Sequence, residues 1–322
     1  MRISADPTAV STVPQHVFET ADEALSDLEQ HHDVAIPLAV AHGSYAWCGA
    51  SPDSDYDVAF VFVPADLRQY AHLEKPVETI TDDRDDLELQ GIDVRRFAEL
   101  LSDSNESAID LLRSPVQYRT EYDPCDLRTY VERTYDPMDL YHDWRAIAAT
   151  NYRTYLSEHL VCDGDVYPIL DVHDGDDGRE YVVRAEDGTR TVSADDERYA
   201  ETQTKPTVKR NLTICRAAMA ARYLRETGES GDHDLPAISF EAFLSEQAPT
   251  VLEDERIELA CDLLERKRAG DGSEEIGDVV GHEFAHPERE IDPTVHARDG
   301  PDPTRLDEFV DEIIDAADRV RL

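Results

Sequence analysis

The sequence predicts an α/β protein, with a mixed, twisted sheet of four or five strands and flanking helices in residues 1–122 and a helical domain in residues 123–322. Two observations support this prediction. Residues 34–41 and 57–63 are short, almost continuously apolar runs, which is typical of strands covered on both faces. Beyond residue 122, apolar side chains mostly recur at helical spacing. A length of 322 residues also fits two domains.

The chain begins with a predicted helix and strand. Residues 17–31 carry apolar side chains at helical spacing, which predicts an amphipathic helix. Residues 34–41 predict a buried strand, although Pro37 lacks the N–H group that a central strand needs. A turn of small residues follows, and residues 57–63 predict a second buried strand.

Two further strands complete the predicted sheet, at residues 77–81 and 87–92. Asp93 is a favourable N-cap residue, and the apolar positions after it predict a helix that runs to about Leu101. The first region therefore alternates strands with helices, as expected for an α/β layer structure.

The second region is predicted to be helical with two interruptions. Acidic residues 161–204 predict a β insertion, and residues 270–303, rich in Gly, Pro and Asp, predict a long loop. The predicted helices span residues 124–134, 137–160, 206–227, 239–246, 251–269 and 304–320.

Acidic residues dominate the composition. The chain has 72 Asp and Glu residues against 31 Lys and Arg residues, for a net charge of −41, and only four of the basic residues are lysines. We interpret this as the composition of a protein from a high-salt cytoplasm; the alternative is an acidic surface that binds a basic partner. Because screening reaches only about 3 Å at molar salt, the charge does not exclude nucleic-acid binding.

The sequence offers no sign of secretion or membrane insertion. Its five cysteines are widely spaced without a CxxC pair, which indicates neither a disulfide framework nor a zinc ribbon. The N-terminus lacks a charged-then-apolar signal, and no run approaches the ~18 apolar residues of a membrane span. We therefore expect a soluble, cytoplasmic protein.

The chemistry is predicted to lie in residues 38–63. The first buried strand runs into Gly43 and Ser44, and Asp55 and Asp57 precede the second strand. Residues i and i+2 of a strand project from the same face, so both carboxylates should point to one place. Mg²⁺ or Mn²⁺ would relieve their repulsion, and such a cation binds carboxylates together with substrate phosphates.

The Gly-Ser turn and a third carboxylate would complete the site. Gly43 allows close approach of a triphosphate, and the Ser44 hydroxyl and free N–H groups could hold its oxygens. A third acid should help to bind metal and activate the acceptor hydroxyl. Glu88, on the next predicted strand, is the candidate. Asp86 and Asp93 compete with it, and Asp93 is also explained as a helix cap.

These residues resemble a known family. GSYAWCGASPDSDYDVAFVFV closely resembles the Gly-Ser…Asp-x-Asp motif of nucleotidyltransferases in the DNA polymerase β superfamily, in particular the family associated with bacterial and phage RNA-repair operons. The resemblance continues through GIDVRRFAELLSDSNESAIDLLRSPVQY, VKRNLTICRAAMAARYL, LLERKRAG and LDEFVDEII. It covers most of the chain outside residues 161–204 and 271–303.

The resemblance implies a polymerase-β-like catalytic domain and assigns roles to residues. Gly43 and Ser44 would hold the triphosphate, while Asp55 and Asp57 would hold the metals. Lys209 and Arg216, about two turns apart on one helix, would reach the phosphates from the helical domain.

Three positions depart from the family pattern. Tyr45 stands where such families often carry a basic residue, and Cys48 stands where an aromatic-Gly pair would continue. Glu88 would be a longer substitute for the usual third Asp.

The leading functional hypothesis is transfer of a nucleoside monophosphate from an NTP to an acceptor hydroxyl. The first acceptor to consider is an RNA 3′ end, and the second is a protein hydroxyl, as in antitoxins that nucleotidylate toxins. The alternative is a non-catalytic NTP- or RNA-binding module of the same fold. A third carboxylate facing Asp55 and Asp57 would favour the enzyme.

A third hypothesis is a zinc hydrolase. His282, Glu283 and His286 form an H-E-x-x-H motif, in which a helix would bring both imidazoles to one zinc ion. Pro287 disfavours a helix at the residue before it, and His296 does not fit the position of a third ligand. We therefore expect a chance match.

Overall fold

The computed structural model describes residues 13–73, 75–175, 178–185, 188–201 and 204–320. These residues form two β-sheets and a set of helices. The strands are β1 (Val34–Ala41), β2 (Tyr56–Pro64), β3 (Thr79–Arg84), β4 (Leu87–Asp93), β5 (Gln117–Thr120), β6 (His159–Cys162), β7 (Asp165–Gly175), β8 (Gly178–Ala185), β9 (Gly188–Ser193) and β10 (Ala200–Glu201).

Helices account for most of the chain after β5. The helices are α1 (Gln15–His32), α2 (Gly43–Ala46), α3 (Val94–Ser102), α4 (Glu106–Arg113), α5 (Cys125–Thr134), α6 (Pro137–Tyr155), α7 (Val208–Glu229), α8 (Phe240–Ala242), α9 (Asp254–Arg268), α10 (His282–Ala285), α11 (Pro293–His296) and α12 (Pro303–Val320). Helix α8 continues as a π turn and a 3-10 turn to Thr250. Among the described residues, no helix combines the length and apolar character needed to cross a bilayer.

The first sheet has the strand order β3-β4-β2-β1-β5. Strands β2 and β4 are parallel, while the other neighbours are antiparallel. The mixed five-stranded sheet and the helical region after it confirm the predicted fold class. Pro37 is accommodated because the pairing of β1 with β2 shifts by one residue between Ala35 and Leu38, so the proline lies at a bulge.

Both faces of this sheet are covered, as the continuously apolar strands predicted. One face packs Val58, Phe60 and Leu89 against the apolar side of α1. The other face packs Ala59 and Val61 into a larger core with residues of α3, α6 and α7. The sheet is therefore a rigid middle layer.

Two of the helices differ from the predictions. Helix α4 was not predicted, and α6 ends at Tyr155 rather than near residue 160, because β6 begins at His159. In addition, α12 returns to pack against α3 and β1, so the sheet and the helices share one core. The boundary at residues 122 and 123 stays a prediction.

The second sheet lies in the region of the predicted β insertion. Strands β6 to β10 form an antiparallel sheet in the order β10-β6-β7-β8-β9. Its small core contains Leu160, Tyr181, Val183 and Val192. The predicted long loop after residue 270 contains the short helices α10 and α11.

A buried arginine fastens the sheet to α1. Arg119 of β5 contacts Asp22 Oδ1 at 2.7 Å, Glu29 Oε2 at 2.8 Å and Ser26 Oγ at 2.6 Å. The other carboxylate oxygen of Glu29 accepts the Ile36 N–H at 2.7 Å. The side chain of Arg119 is only 8% exposed and that of Glu29 17%, so this pair is shielded from water, whereas Asp22 is 61% exposed.

We expect Arg119→Met to lower the free energy of unfolding by about 3 kcal/mol, because it leaves the Glu29 carboxylate without its partner. Denaturant unfolding at constant high salt would measure this. Arg68→Met is the matched control, since the ion pair of Arg68 with Asp66 is solvent-exposed and should be dispensable. Equal effects of both substitutions would contradict the assignment.

Candidate active site

The turn after β1 lies directly against the carboxylate of Asp57. The His42 N–H donates to the Asp57 carbonyl oxygen at 2.8 Å, and Gly43 has φ +55° at the start of α2. A Cβ atom at Gly43 would lie 1.9 Å from Asp57 Oδ2. Glycine is therefore required at position 43 for two reasons, the left-handed backbone conformation and the close approach of the backbone to the Asp57 carboxylate. The predicted Gly-Ser turn is a short helix, with Ser44 half-buried in it.

Asp57 and Glu88 stand side by side. They are register partners on the parallel strands β2 and β4, and their side chains are close enough to share a hydrogen bond. Burial, followed by the charge of Glu88, raises the pKa of Asp57 to about 6, while Lys209 opposes the rise. The structure thus brings together the two acids that the sequence placed on different strands.

Asp55 lies one residue before β2 and is exposed. Its charge also raises the pKa of Asp57, which indicates that the two carboxylates interact. The other candidates for the third acid lie elsewhere. Asp93, at the far end of β4, accepts N–H groups of α3 and the Tyr70 hydroxyl, so it is a helix cap. Asp86 precedes β4 in a turn.

The three acids have the donor chemistry for Mg²⁺ or Mn²⁺. Their mutual repulsion and the raised pKa of Asp57 are what a divalent cation would relieve. Over the described ranges, no three potential ligands are already gathered around one point. A cation would therefore have to draw the exposed Asp55 side chain inward, and exposed side chains change rotamer within nanoseconds.

Two lysines approach these acids from the helical region. Lys209 lies in the first turn of α7, and its charge lowers the pKa of Asp57. Lys267, in the last turn of α9, is 3% exposed and donates to Ser54 Oγ at 3.1 Å. Burial and then the charge of Lys209 lower the pKa of Lys267 to about 8, against the opposing charges of Asp57 and Asp55.

Sequence reasoning missed Lys267. It lies in the LLERKRAG stretch that resembles the family, but its neighbours Arg266 and Arg268 hide it in a run of basic residues. Two signals were available. Lysine occurs only four times in the chain, and Lys267 falls at the end of an amphipathic helix, where it points inward.

Arg216 does not join Lys209 and Lys267. Seven residues after Lys209, and so about 10 Å along α7, it pairs through Nη2 with Asp110 Oδ2 at 2.9 Å. Its guanidinium lies 4.8 Å from the ring centre of Trp144. Arg216 therefore fastens α7 to α4, and its predicted contact with phosphates stays a prediction.

The H-E-x-x-H motif lacks the geometry of a zinc site. Helix α10 contains only four residues and ends before His286. The rings of His282 and His286 are stacked, with centroids 4.0 Å apart and an interplanar angle of 18°. Since ring nitrogen lone pairs lie in the ring plane, two nearly parallel rings do not direct them to one ion. Tyr152 packs edge-on against both rings, as in a structural aromatic cluster.

Comparison with known proteins identifies the family of this chain. The family model described as "RNA repair pathway DNA polymerase beta family" matches residues 17–312. The chain is also similar to the uncharacterized protein YcgL of Bacillus subtilis, with 30% identity over 141 residues. That alignment covers 43% of this chain and 54% of YcgL, so the chain spans about half the length of this relative.

The family match extends from α1 into α12 and includes both strands that carry the paired acids. It confirms the family that the motif around Gly43 and Asp57 suggested, together with the polymerase-β-like fold. The chain therefore belongs to the RNA repair pathway DNA polymerase beta family, a family of nucleotidyltransferase type.

Proposed function

We propose that the protein transfers a nucleoside monophosphate from an NTP to an acceptor hydroxyl, with Mg²⁺ or Mn²⁺ as cofactor. The observation that carries this proposal is the pairing of Asp57 with Glu88 beneath the Gly43 backbone, opposite Lys209 and Lys267. This arrangement combines acids for cations with a turn and two lysines for phosphates.

Each residue has a role in this proposal. Asp55 and Asp57 would hold the cation, which neutralises phosphate charge and lowers the pKa of the acceptor hydroxyl. Glu88, beside Asp57, would accept the hydroxyl proton as that oxygen attacks the α-phosphorus and pyrophosphate departs. The N–H groups around Gly43 and the Ser44 hydroxyl would bind phosphate oxygens. Lys209 and Lys267 would stabilise the negative charge on the leaving pyrophosphate.

The position of Glu88 favours an enzyme over a non-catalytic binding module. A module that only bound NTP would not need a third acid in register with Asp57.

For the acceptor, the family description names RNA repair, which favours an RNA end over a protein hydroxyl. The high-salt composition would place the reaction in concentrated salt, and a cytoplasmic location fits this proposal.

The central test is transfer of labelled NMP to RNA in high salt with Mg²⁺ or Mn²⁺. Asp57→Asn should abolish transfer, and Glu88→Gln should slow it by about 10²–10⁴-fold, the usual contribution of a general base. Glu78→Gln, at an exposed residue just before β3, is the matched control and should retain activity. Absence of transfer to RNA, protein or the enzyme itself by the wild type would favour the binding module.

Lys267→Met should reduce kcat by about 10²-fold, because it removes a preorganised cation from the leaving-group side of the site. Lys75→Met, at an exposed lysine in the segment before β3, is the matched control. Steady-state kinetics with NTP as the varied substrate would measure both. Wild-type kcat in the Lys267→Met protein would remove Lys267 from the proposed site.

Gly43→Ala should abolish transfer, because its Cβ would displace the Asp57 carboxylate. Gly164→Ala separates this effect from backbone strain, since Gly164 also has positive φ, at +91°, but no atom lies near its Cβ position. Both variants should lose about 1–2 kcal/mol of stability from the left-handed conformation. Only Gly43→Ala should lose activity, and equal activity of the two variants would contradict the assigned contact.

A further inference from the structure

We infer that a ring-sized pocket beside Glu88 binds the terminal nucleobase of an RNA acceptor, so that the 3′ hydroxyl of that nucleotide lies at the paired acids. This inference rests on the proposed function and specifies its acceptor. Lys267 contacts Ser54, which precedes Asp57 in the chain, whereas the pocket residue Ala59 follows Asp57 along β2.

The pocket begins two residues beyond the paired acids, on the same face of the sheet. Asp57 pairs with Glu88, and Ala59 pairs with Gln90 on the same two strands. Residues i and i+2 of a strand face the same side and lie about 6.6 Å apart. Ala59 and Gln90 both line the pocket, so the pocket continues directly from the two acids along the sheet.

The size and walls of the pocket suit a single flat ring. Its cavity volume is about 150 Å³, and an apolar protein cavity of about that size holds a benzene ring. The walls are mostly apolar and come from β4 and from helices α3 and α4, and His42 lines the pocket from the turn after β1. They include Ile92, Phe97, Leu100, Ala108 and Leu111.

Polar groups stand at the open side. The exposed residues Gln90, Thr79 and Ser107 line the pocket together with its apolar walls. An amide side chain such as that of Gln90 offers a donor and an acceptor together, which is the pattern presented by the edge of a nucleobase. The faces of a base would meet apolar atoms, and its edge would meet Gln90.

The offset between the acids and the pocket favours a nucleotide over a protein side chain. In a nucleotide the reactive hydroxyl is on the sugar, and the base projects to one side of it. A hydroxyl at Glu88 and a ring in the neighbouring pocket can therefore belong to one residue. The side chains of Ser, Thr and Tyr carry no ring beside their hydroxyl group that corresponds to the base of a nucleotide. A protein acceptor would therefore leave the pocket unused.

A thermodynamic cycle tests the inference. Its first arm compares RNA acceptors with a normal or an abasic 3′ nucleotide, both of which keep the reactive hydroxyl. Its second arm compares the wild type with Ala108→Leu, which fills the cavity. Removing the base should lower kcat/KM for the acceptor by about tenfold or more. Ala108→Leu should cause a similar loss with the normal end and little further loss with the abasic end.

Gln90→Ala provides a second variant, because an exposed side chain is removed without changing the core. It should raise KM for the normal acceptor several-fold and leave KM for NTP unchanged. Gln117→Ala, the same change at an exposed position of β5 in the same sheet, is the matched control. Near-UV circular dichroism would check that Ala108→Leu remains folded.

The outcomes separate this inference from the proposed function. If the wild type transfers NMP to normal and abasic ends equally well, the pocket does not bind the base, although the proposed function stands. Additive losses in the cycle, or transfer to protein hydroxyls alone, would also overturn the inference. If the wild type transfers no NMP to any acceptor, the proposed function itself fails.

Discussion

The close approach of the Asp57 and Glu88 carboxylates is the constraint on which the rest of the site depends. Two like charges at a partly buried position raise the free energy of the folded chain. The fold holds them together because β2 and β4 pair in parallel register, between two apolar layers that resist movement of either strand. The repulsion is retained where a cation or a phosphate-bound cation would relieve it, as is common at functional sites.

The same constraint explains the surroundings of the pair. Gly43 has to lack a side chain because Asp57 occupies the space that a Cβ would need. Lys267 reaches the acids from α9 as a buried side chain that donates to Ser54 Oγ. Burial is the main cause both of the lowered pKa of Lys267 and of the raised pKa of Asp57, because each charged group has lost contact with water. Lys209 is closer to solvent and acts on both groups.

Four strands of the first sheet and most of the longer helices could be predicted because their apolar residues follow the spacing of the element, whereas the short strand β5 was not predicted. Helix α4 could not, because it buries Glu106 and Asp110 among its apolar side chains. Burial raises the pKa of Glu106, and Asp110 is accepted in the core because Arg216 pairs with it from α7, 106 residues later. Sequence spacing contains no information about such a partner.

The residues of the site also divide into those that the sequence could predict and those that it could not. Gly43, Asp55 and Asp57 are close in sequence, so the motif predicted their convergence, and the predicted strand at residues 87–92 made Glu88 the candidate third acid, beside Asp86 and Asp93. Lys267 reaches Ser54 across 213 residues, and Arg216 is diverted to Asp110. Helical spacing places Lys209 and Arg216 on one side of α7, but the packing of α7 on α4 decides which cation remains near the acids.

A net charge of −41 would by itself oppose the binding of a triphosphate. Salt screens exposed and buried charges differently. Exposed charges act over only about 3 Å at molar salt, whereas partly buried pairs are screened much less. The acidic surface would then have little influence on an anion in the site, while the buried Lys267 and the nearby Lys209 would retain theirs. On the proposed function, local charge at the paired acids would therefore govern phosphate binding, and the surface charge would suit a high-salt environment.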